Sequence, residues 1–94
     1  MRGMIDMKKS NAIMINEKDN VATMLDEVEK GDIVIIKGNK QKIKALNDIS
    51  FGHKIALTNI KGEEQIIKYG AVIAEAGKNI TKGEHVHVHN AKGK

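Results

Sequence analysis

Apolar and polar positions change rhythm along this chain. In residues 19–32, "DNVATMLDEVEKGD", Val21, Met24, Leu25 and Val28 recur at i, i+3, i+4 and i+7. That is the spacing of one helix face. Asp19 stands where an N-cap would, and Gly31 where the helix would close. The pattern predicts one α-helix over about residues 19–30. Asn20 and Thr23 belong to its start, and the four apolar residues are core.

Elsewhere the pattern is short and β-like. "NAIMIN" (11–16) and "IVIIK" (33–37) read as strands, and "GN" (38–39) as a tight turn. "QKIKAL" (41–46), "KIALTNI" (54–60), "QIIKYG" (65–70) and "HVHVH" (85–89) read as further strands. Lys30-Gly31-Asp32, Lys61-Gly62-Glu63 and Lys82-Gly83-Glu84 each precede a β run. Glycine permits the positive φ of a tight turn. The unequal spacings read as plain turns rather than as a repeat. The expected fold is mainly β, a compact module of short strands with one N-terminal helix. It forms a single domain over residues 1–94, ordered over about 11–90 and ragged at both termini, with a loose "AKGK" tail.

Size and composition narrow the function. A 94-residue chain is one domain, and it buries only about 60–65% of its unfolded surface. It is small for a complete metabolic enzyme with a deep pocket. With no cysteine, disulfides, thiolate catalysis and cysteine-based zinc sites are excluded. No apolar run approaches the roughly 18 residues that a membrane span needs. "MRGMIDMKKS" lacks the apolar core of a secretory signal, so a cytoplasmic location is expected.

Charge is uneven. Residues 1–32 carry five basic and seven acidic side chains; residues 33–94 carry eleven and five. The later part would draw anions: carboxylates, phosphates or an acidic partner. Nucleic acid is disfavoured, because Phe51 and Tyr69 are the only aromatics and single-strand binders stack bases on several. No membrane partner is expected.

Three of the four histidines, His85, His87 and His89, alternate in "GEHVHVHN", and the fourth is His53. On an extended strand they share one face, with Val86 and Val88 on the other. Neighbouring rings would stand about 6.5–7 Å apart and the outer pair about 13 Å apart. Two adjacent rings can converge on one metal ion, but three in a row cannot easily do so. A half-exposed strand with polar rings is the plain alternative. No acidic residue at an obvious spacing completes a metal shell, so a second subunit would have to supply ligands.

"DNVATML" (19–25), "GHKIAL" (52–57), "IKYGAVIAEAGKNI" (67–80) and "KGEHVHVHN" (82–90) occur in one order. Together they resemble the small SAF-type domain of the altronate and galactarate dehydratase family, from about Asn16 to Asn90. The sulfolactate sulfo-lyase small subunit is similar. The chain departs from the family pattern in three places. Ile49-Ser50 stands where Ile-Pro is common, and Ile73-Ala74 where Ile-Gly is common. The Arg-Gly-rich stretch after the histidines is missing, which bears on contact with a large partner.

The resemblance implies a β-clip fold and a place beside a large catalytic subunit or domain, and this chain looks like the separate small subunit, inactive alone. It implies loss of water from a sugar acid to give a 2-keto-3-deoxy acid, with a divalent metal, iron(II) or manganese. A sulfo-lyase subunit and a non-catalytic β-clip binding module are the alternatives. Candidate roles follow from it. His87 and His89 come first for metal contact or proton transfer, and His85 joins them as a metal ligand. His53 and Lys54, on a glycine turn, would grip a carboxylate at the reacting centre. Lys68 and Tyr69 would hold substrate, and Asn90 would meet a substrate hydroxyl. Lys54 as an ordinary surface lysine and Tyr69 as core filler are the plain readings.

Overall fold

The computed structural model describes residues 10–93. Residues 1–9, which carry most of the stretch compared with a secretory signal, and Lys94 lie outside the described residues. Nine strands occur in the order β1 (Ala12–Ile13), β2 (Val21–Met24), β3 (Ile33–Lys37), β4 (Lys42–Lys44), β5 (Lys54–Ala56), β6 (Gln65–Lys68), β7 (Ala71–Ala76), β8 (His85–Val86) and β9 (Ala91–Gly93). They form a six-stranded sheet, β4-β3-β1-β2-β5-β8, and a three-stranded sheet, β6-β7-β9. All pairs are antiparallel except β1 with β3.

The mainly β expectation holds, but the helix over residues 19–30 does not: no described residue is helical. Val21–Met24 is a strand paired on both sides, with β1 and with β5. Both of its faces are buried. Ala22 and Met24 pack into one apolar cluster with Val28, Val34, Ile36, Ile43, Ile49 and Ile55. Val21 packs into a second with Ala56, Ile60, Ile66, Ile80 and Val86. A short strand buried on both faces mimics helical spacing. Of the four residues read as one helix face, Met24 and Val28 lie in one core, Val21 lies in the other, and Leu25 is exposed. An isolated helix this short is marginal, whereas the strand satisfies its backbone against two neighbours.

Two further expectations are corrected. The tail is not loose through residue 93, because β9 pairs with β7. The histidine strand stops at Val86. The strand β7, which lies between Gly70 and Gly77, is additional to the expected strands.

The three Lys-Gly-acid turns belong to a fourfold recurrence. The same succession of bend, bridge, turn and strand appears at residues 25–33, 46–54, 57–65 and 77–85. A positive φ falls at the same place in each, on Gly31, Gly52, Glu63 and Gly83. In the third copy it sits on Glu63 rather than on Gly62. The segments pair as two clasps. In the first, Val28 and Ile49 exchange backbone bonds, Gly31 N–H donates to Ala45 O, Gly52 N–H to Met24 O, Ala45 N–H to Asp32 O and Met24 N–H to His53 O. In the second, Ile60 and Ile80, Glu63 and Ala76, Gly83 and Ala56, Ala76 and Glu64, and Ala56 and Glu84 repeat the scheme. Gly83 cannot be replaced freely: a Cβ there would meet the Lys44 carbonyl oxygen, and its φ of 92° disfavours any side chain.

Asp19, expected to cap a helix, instead joins the sheets. It is 8% exposed. Its carboxylate accepts from Asn16 N–H at 3.1 Å, Ile15 N–H at 3.3 Å and Gly70 N–H at 2.8 Å. Asn20 beside it donates to Gln65 O and accepts from Ile67 N–H. Burial by itself would raise the Asp19 pKa. The donated bonds of Gly70, Asn16, Tyr69 and Ile15 outweigh it and hold the group below its ordinary 3.8.

We predict that Asp19→Ala lowers unfolding free energy by roughly 2–3 kcal/mol in urea titration, the scale of bonds to a charged acceptor. The folded value lies below the unfolded one. The ionised carboxylate therefore stabilises the fold above about pH 3.9, and this is lost as pH falls through the lowered value. Asp19→Asn should show a flatter loss of stability below about pH 4 than the wild type.

Candidate functional site

The second segment of the first clasp ends in His53 and runs into β5. The second segment of the other clasp ends in Glu84 and runs into β8. Antiparallel pairing of β5 with β8 sets Lys54 against Val86 and Ile55 against His85. Continued one step, this register sets His53 beside His87. Their rings stack at 4.1 Å between centroids with planes 12° apart. His85 stacks on His53 at 5.1 Å and on His87 at 5.6 Å. His53 Nδ1 lies 2.9 Å from His85 Nε2.

Asn90 explains why the strand breaks after Val86. Its Oδ1 accepts from His87 N–H at 2.9 Å and its Nδ2 donates to His85 O at 2.8 Å. The His87 carbonyl in turn takes both Asn90 N–H and Ala91 N–H. The chain therefore reverses over residues 87–90 into β9. Val86 is fully buried as expected, but Val88 is 83% exposed instead of being core. Asn90, expected to meet a substrate hydroxyl, is 1% exposed with its amide engaged by the chain itself.

The structure thus groups His53, His85 and His87, with one ligand atom from each all within 4.8 Å of one another. His89, expected in the triad, lies to the side with its ring 5.1 Å from that of His85. His53 was read apart from the other histidines, because 32 residues separate it from His85 and only the β5–β8 register joins them. Burial first, and then the charges of His89, His53, His87 and Lys54, push His85 below the ordinary imidazole value of 6.5. Burial, and then His53, Lys54 and His89, do the same to His87. Neutral imidazole is the form that binds metal or accepts a proton.

Lys54 is partly buried, and burial followed by the nearby Lys68 lowers its pKa. Lys68 Nζ lies 4.9 Å from the Tyr69 ring centroid. Tyr69 is 54% exposed, so it is not core filler. It forms the β6–β7 turn with Gly70, both at positive φ. Thr23 pairs with Lys54 across β2 and β5, and its buried Oγ1 has no partner among the described residues. The site is an open, cationic face. A concavity of about 580 Å³ lies elsewhere, by Ile35, Lys37, Gly38, Lys40 and Lys42 on the β3–β4 side, and is lined by no histidine.

Three imidazoles suit a divalent first-row ion. Two nitrogens 2.9 Å apart match adjacent ligands on an ion bound at about 2.0–2.1 Å. No carboxylate joins the described group, so a bound ion would keep positions open to substrate or to further ligands.

Residues 10–94 match the family described as Altronate/galactarate dehydratase SAF domain. The chain is 44% identical over 80 residues to an altronate dehydratase of Bacillus subtilis, covering 85% of this chain and 16% of that protein. It is 39% identical over 80 residues to the altronate dehydratase of Escherichia coli, with the same coverage. A (2R)-sulfolactate sulfo-lyase subunit alpha of Chromohalobacter salexigens is 46% identical over 46 residues, 49% of each chain. The chain therefore spans about a sixth of the length of the altronate dehydratases it matches.

Manganese(II) titrated calorimetrically into the chain should separate the two histidine sets. His53→Ala should weaken binding at least about tenfold, the scale on which even supporting groups of a metal site act. His89→Ala should change it far less. The reverse order would restore the set of His85, His87 and His89.

Proposed function

The chain belongs to the altronate/galactarate dehydratase SAF domain family, and from that membership we propose that it is the small unit of a sugar-acid dehydratase. It works beside a large catalytic partner, releases water from an aldonic or aldaric acid, and leaves a 2-keto-3-deoxy acid. The observation that carries this reading is the gathering of His53, His85 and His87 on one open face next to Lys54. The relatives' remaining length would supply the missing walls.

Each residue has a defined task. A neutral imidazole of the group, His87 or His85, takes the proton α to the substrate carboxylate. The Lys54 ammonium faces the negative charge that grows on that carboxylate. A second imidazole, once protonated, gives its proton to the departing β-hydroxyl. Lys68 draws the anionic substrate in, and Tyr69 borders it. Asn90 holds His85 and His87 in place from beneath. Were a divalent ion, iron(II) or manganese, held by His53, His85 and His87, it would polarise the carboxylate as a Lewis acid, and the proton transfers would then fall to His89 or to the large partner.

A sulfo-lyase subunit is the second reading. It is favoured by a 40% identity over 53 residues to the (2R)-sulfolactate sulfo-lyase subunit alpha of Paracoccus pantotrophus, 79% of that subunit. Both reactions act on a hydroxy acid anion.

The chain co-purified with its large partner and supplied with iron(II) or manganese should convert altronate or galactarate to a keto acid. Sulfite released from sulfolactate would select the second reading. The small chain alone should be inactive. His87→Ala should reduce turnover of the complex at least a hundredfold, the scale of a lost acid–base group, while the small chain's unfolding midpoint stays near wild type. Wild-type turnover in that variant would remove His87 from the site.

A further inference from the structure

The four recurrent turns differ in one respect that bears on the ligand. In three of them the two amides that open the turn are capped by side-chain oxygens. Glu29 N–H donates to Asp32 Oδ2 and Lys30 N–H to Asp48 Oδ1, both at 2.8 Å. Lys61 N–H donates to Glu64 Oε1 at 2.8 Å and Gly62 N–H to Asn79 Oδ1 at 2.9 Å. Thr81 N–H donates to Glu84 Oε1 at 2.8 Å and Lys82 N–H to Asn59 Oδ1 at 2.9 Å. One oxygen always comes from the acid that closes the same turn. The other comes from the residue before the bridge in the paired turn.

In the remaining turn, residues 50–53, both oxygens are missing. The closing position is His53, whose Nδ1 is turned to His85. The corresponding place in the paired turn holds Glu27, exposed and one methylene longer than aspartate. Among the described residues, Ser50 N–H and Phe51 N–H have no acceptor. The backbone is otherwise that of the sister turns: His53 N–H donates to Ser50 O, and Gly52 has φ 84°. The turn thus retains the donors of a carboxylate cradle without its built-in carboxylate. In the sister turns the closing side chain reaches the first amide, so the vacated position lies beside His53.

We propose that the Ser50 and Phe51 amides form the subsite for a carboxylate of the hydroxy-acid substrate, whose oxygens take the places that Asp32, Glu64 and Glu84 fill at the first amide of the sister turns and Asp48, Asn79 and Asn59 at the second. The inference rests on the reading of the chain as a hydroxy-acid lyase unit. Paired backbone N–H groups on such a turn bind anions, and bonds from N–H to a carboxylate are short and charge-assisted. The subsite would set a carboxylate next to His53 and Lys54, with its neighbouring carbon towards the imidazoles.

The test is titration of the ¹⁵N-labelled chain with galactarate, followed by amide shifts. Ser50 and Phe51 amides should move together and saturably, while those of Glu29, Lys30, Lys61, Gly62, Thr81 and Lys82 stay fixed. Galactitol, the uncharged analogue, should move neither. Phe51→Pro removes one donor at a turn position that favours proline, and it should weaken galactarate binding about tenfold. Glu27→Asn supplies the internal oxygen that the sister turns use and should weaken binding similarly if the fold does not tolerate proline. Shifts at His53, His85 and His87 without shifts at Ser50 and Phe51 overturn the subsite and leave the lyase reading standing. No saturable shift anywhere on the histidine face, in the chain alone and in its complex with the large partner, overturns both. Equal shifts with sulfate mean an adventitious ion only and overturn the subsite.

Discussion

Reciprocal hydrogen bonding between paired turns is the constraint on which the rest of this structure depends. Most of the strands are too short to hold themselves, and several have two or three residues. A two-stranded ribbon of that length is unstable in water. The two clasps solve this by satisfying buried backbone groups at the turns themselves, over Val28 and Ile49 in one and Ile60 and Ile80 in the other. All four of these residues are almost fully buried. Each clasp therefore closes a core and spends its polar backbone groups in the same place, as buried N–H and C=O groups require.

Between the clasps runs the β2–β5 pair, buried on both faces. Ala22 and Ile55 belong to one core, Val21 and Ala56 to the other. This shared wall fixes the histidine site. His53 leaves one clasp and His85 leaves the other, so their closeness follows from the same pairing that holds the cores together. Asn90 adds the last restraint by holding the His85 carbonyl and the His87 amide. The imidazoles are stacked and partly desolvated, which keeps His85 and His87 towards the neutral form.

The site departs from the structural rule of its own fold. Where Asp32, Glu64 and Glu84 complete their turns with a carboxylate, the fourth turn has His53. A local stabilising bond has been given up, and an imidazole gained where the two clasps meet. Functional positions commonly break a local rule that the rest of a fold obeys. The face carries Lys54 and Lys68 beside imidazoles that are only partly buried.

The sequence by itself determined the mainly β class and the family. β-rich runs punctuated by glycine marked IVIIK, QKIKAL and QIIKYG correctly, because a turn residue and a period of two are local properties. The four ordered motifs were enough to mark the family, and the alternation of His85 and His87 was enough to put both rings on one face. Three things were decided only by tertiary structure. Residues 21–24 became a strand because two cores claimed its opposite faces, and spacing alone cannot tell that from one helix face. His89 was set aside and His53 brought in because strand register joins residues 32 apart, while a buried Asn90 bends the local alternation. The vacancy at Ser50 and Phe51 became visible only against the three filled turns, since an uncapped amide has no signature in a sequence until its sister turns can be laid over it.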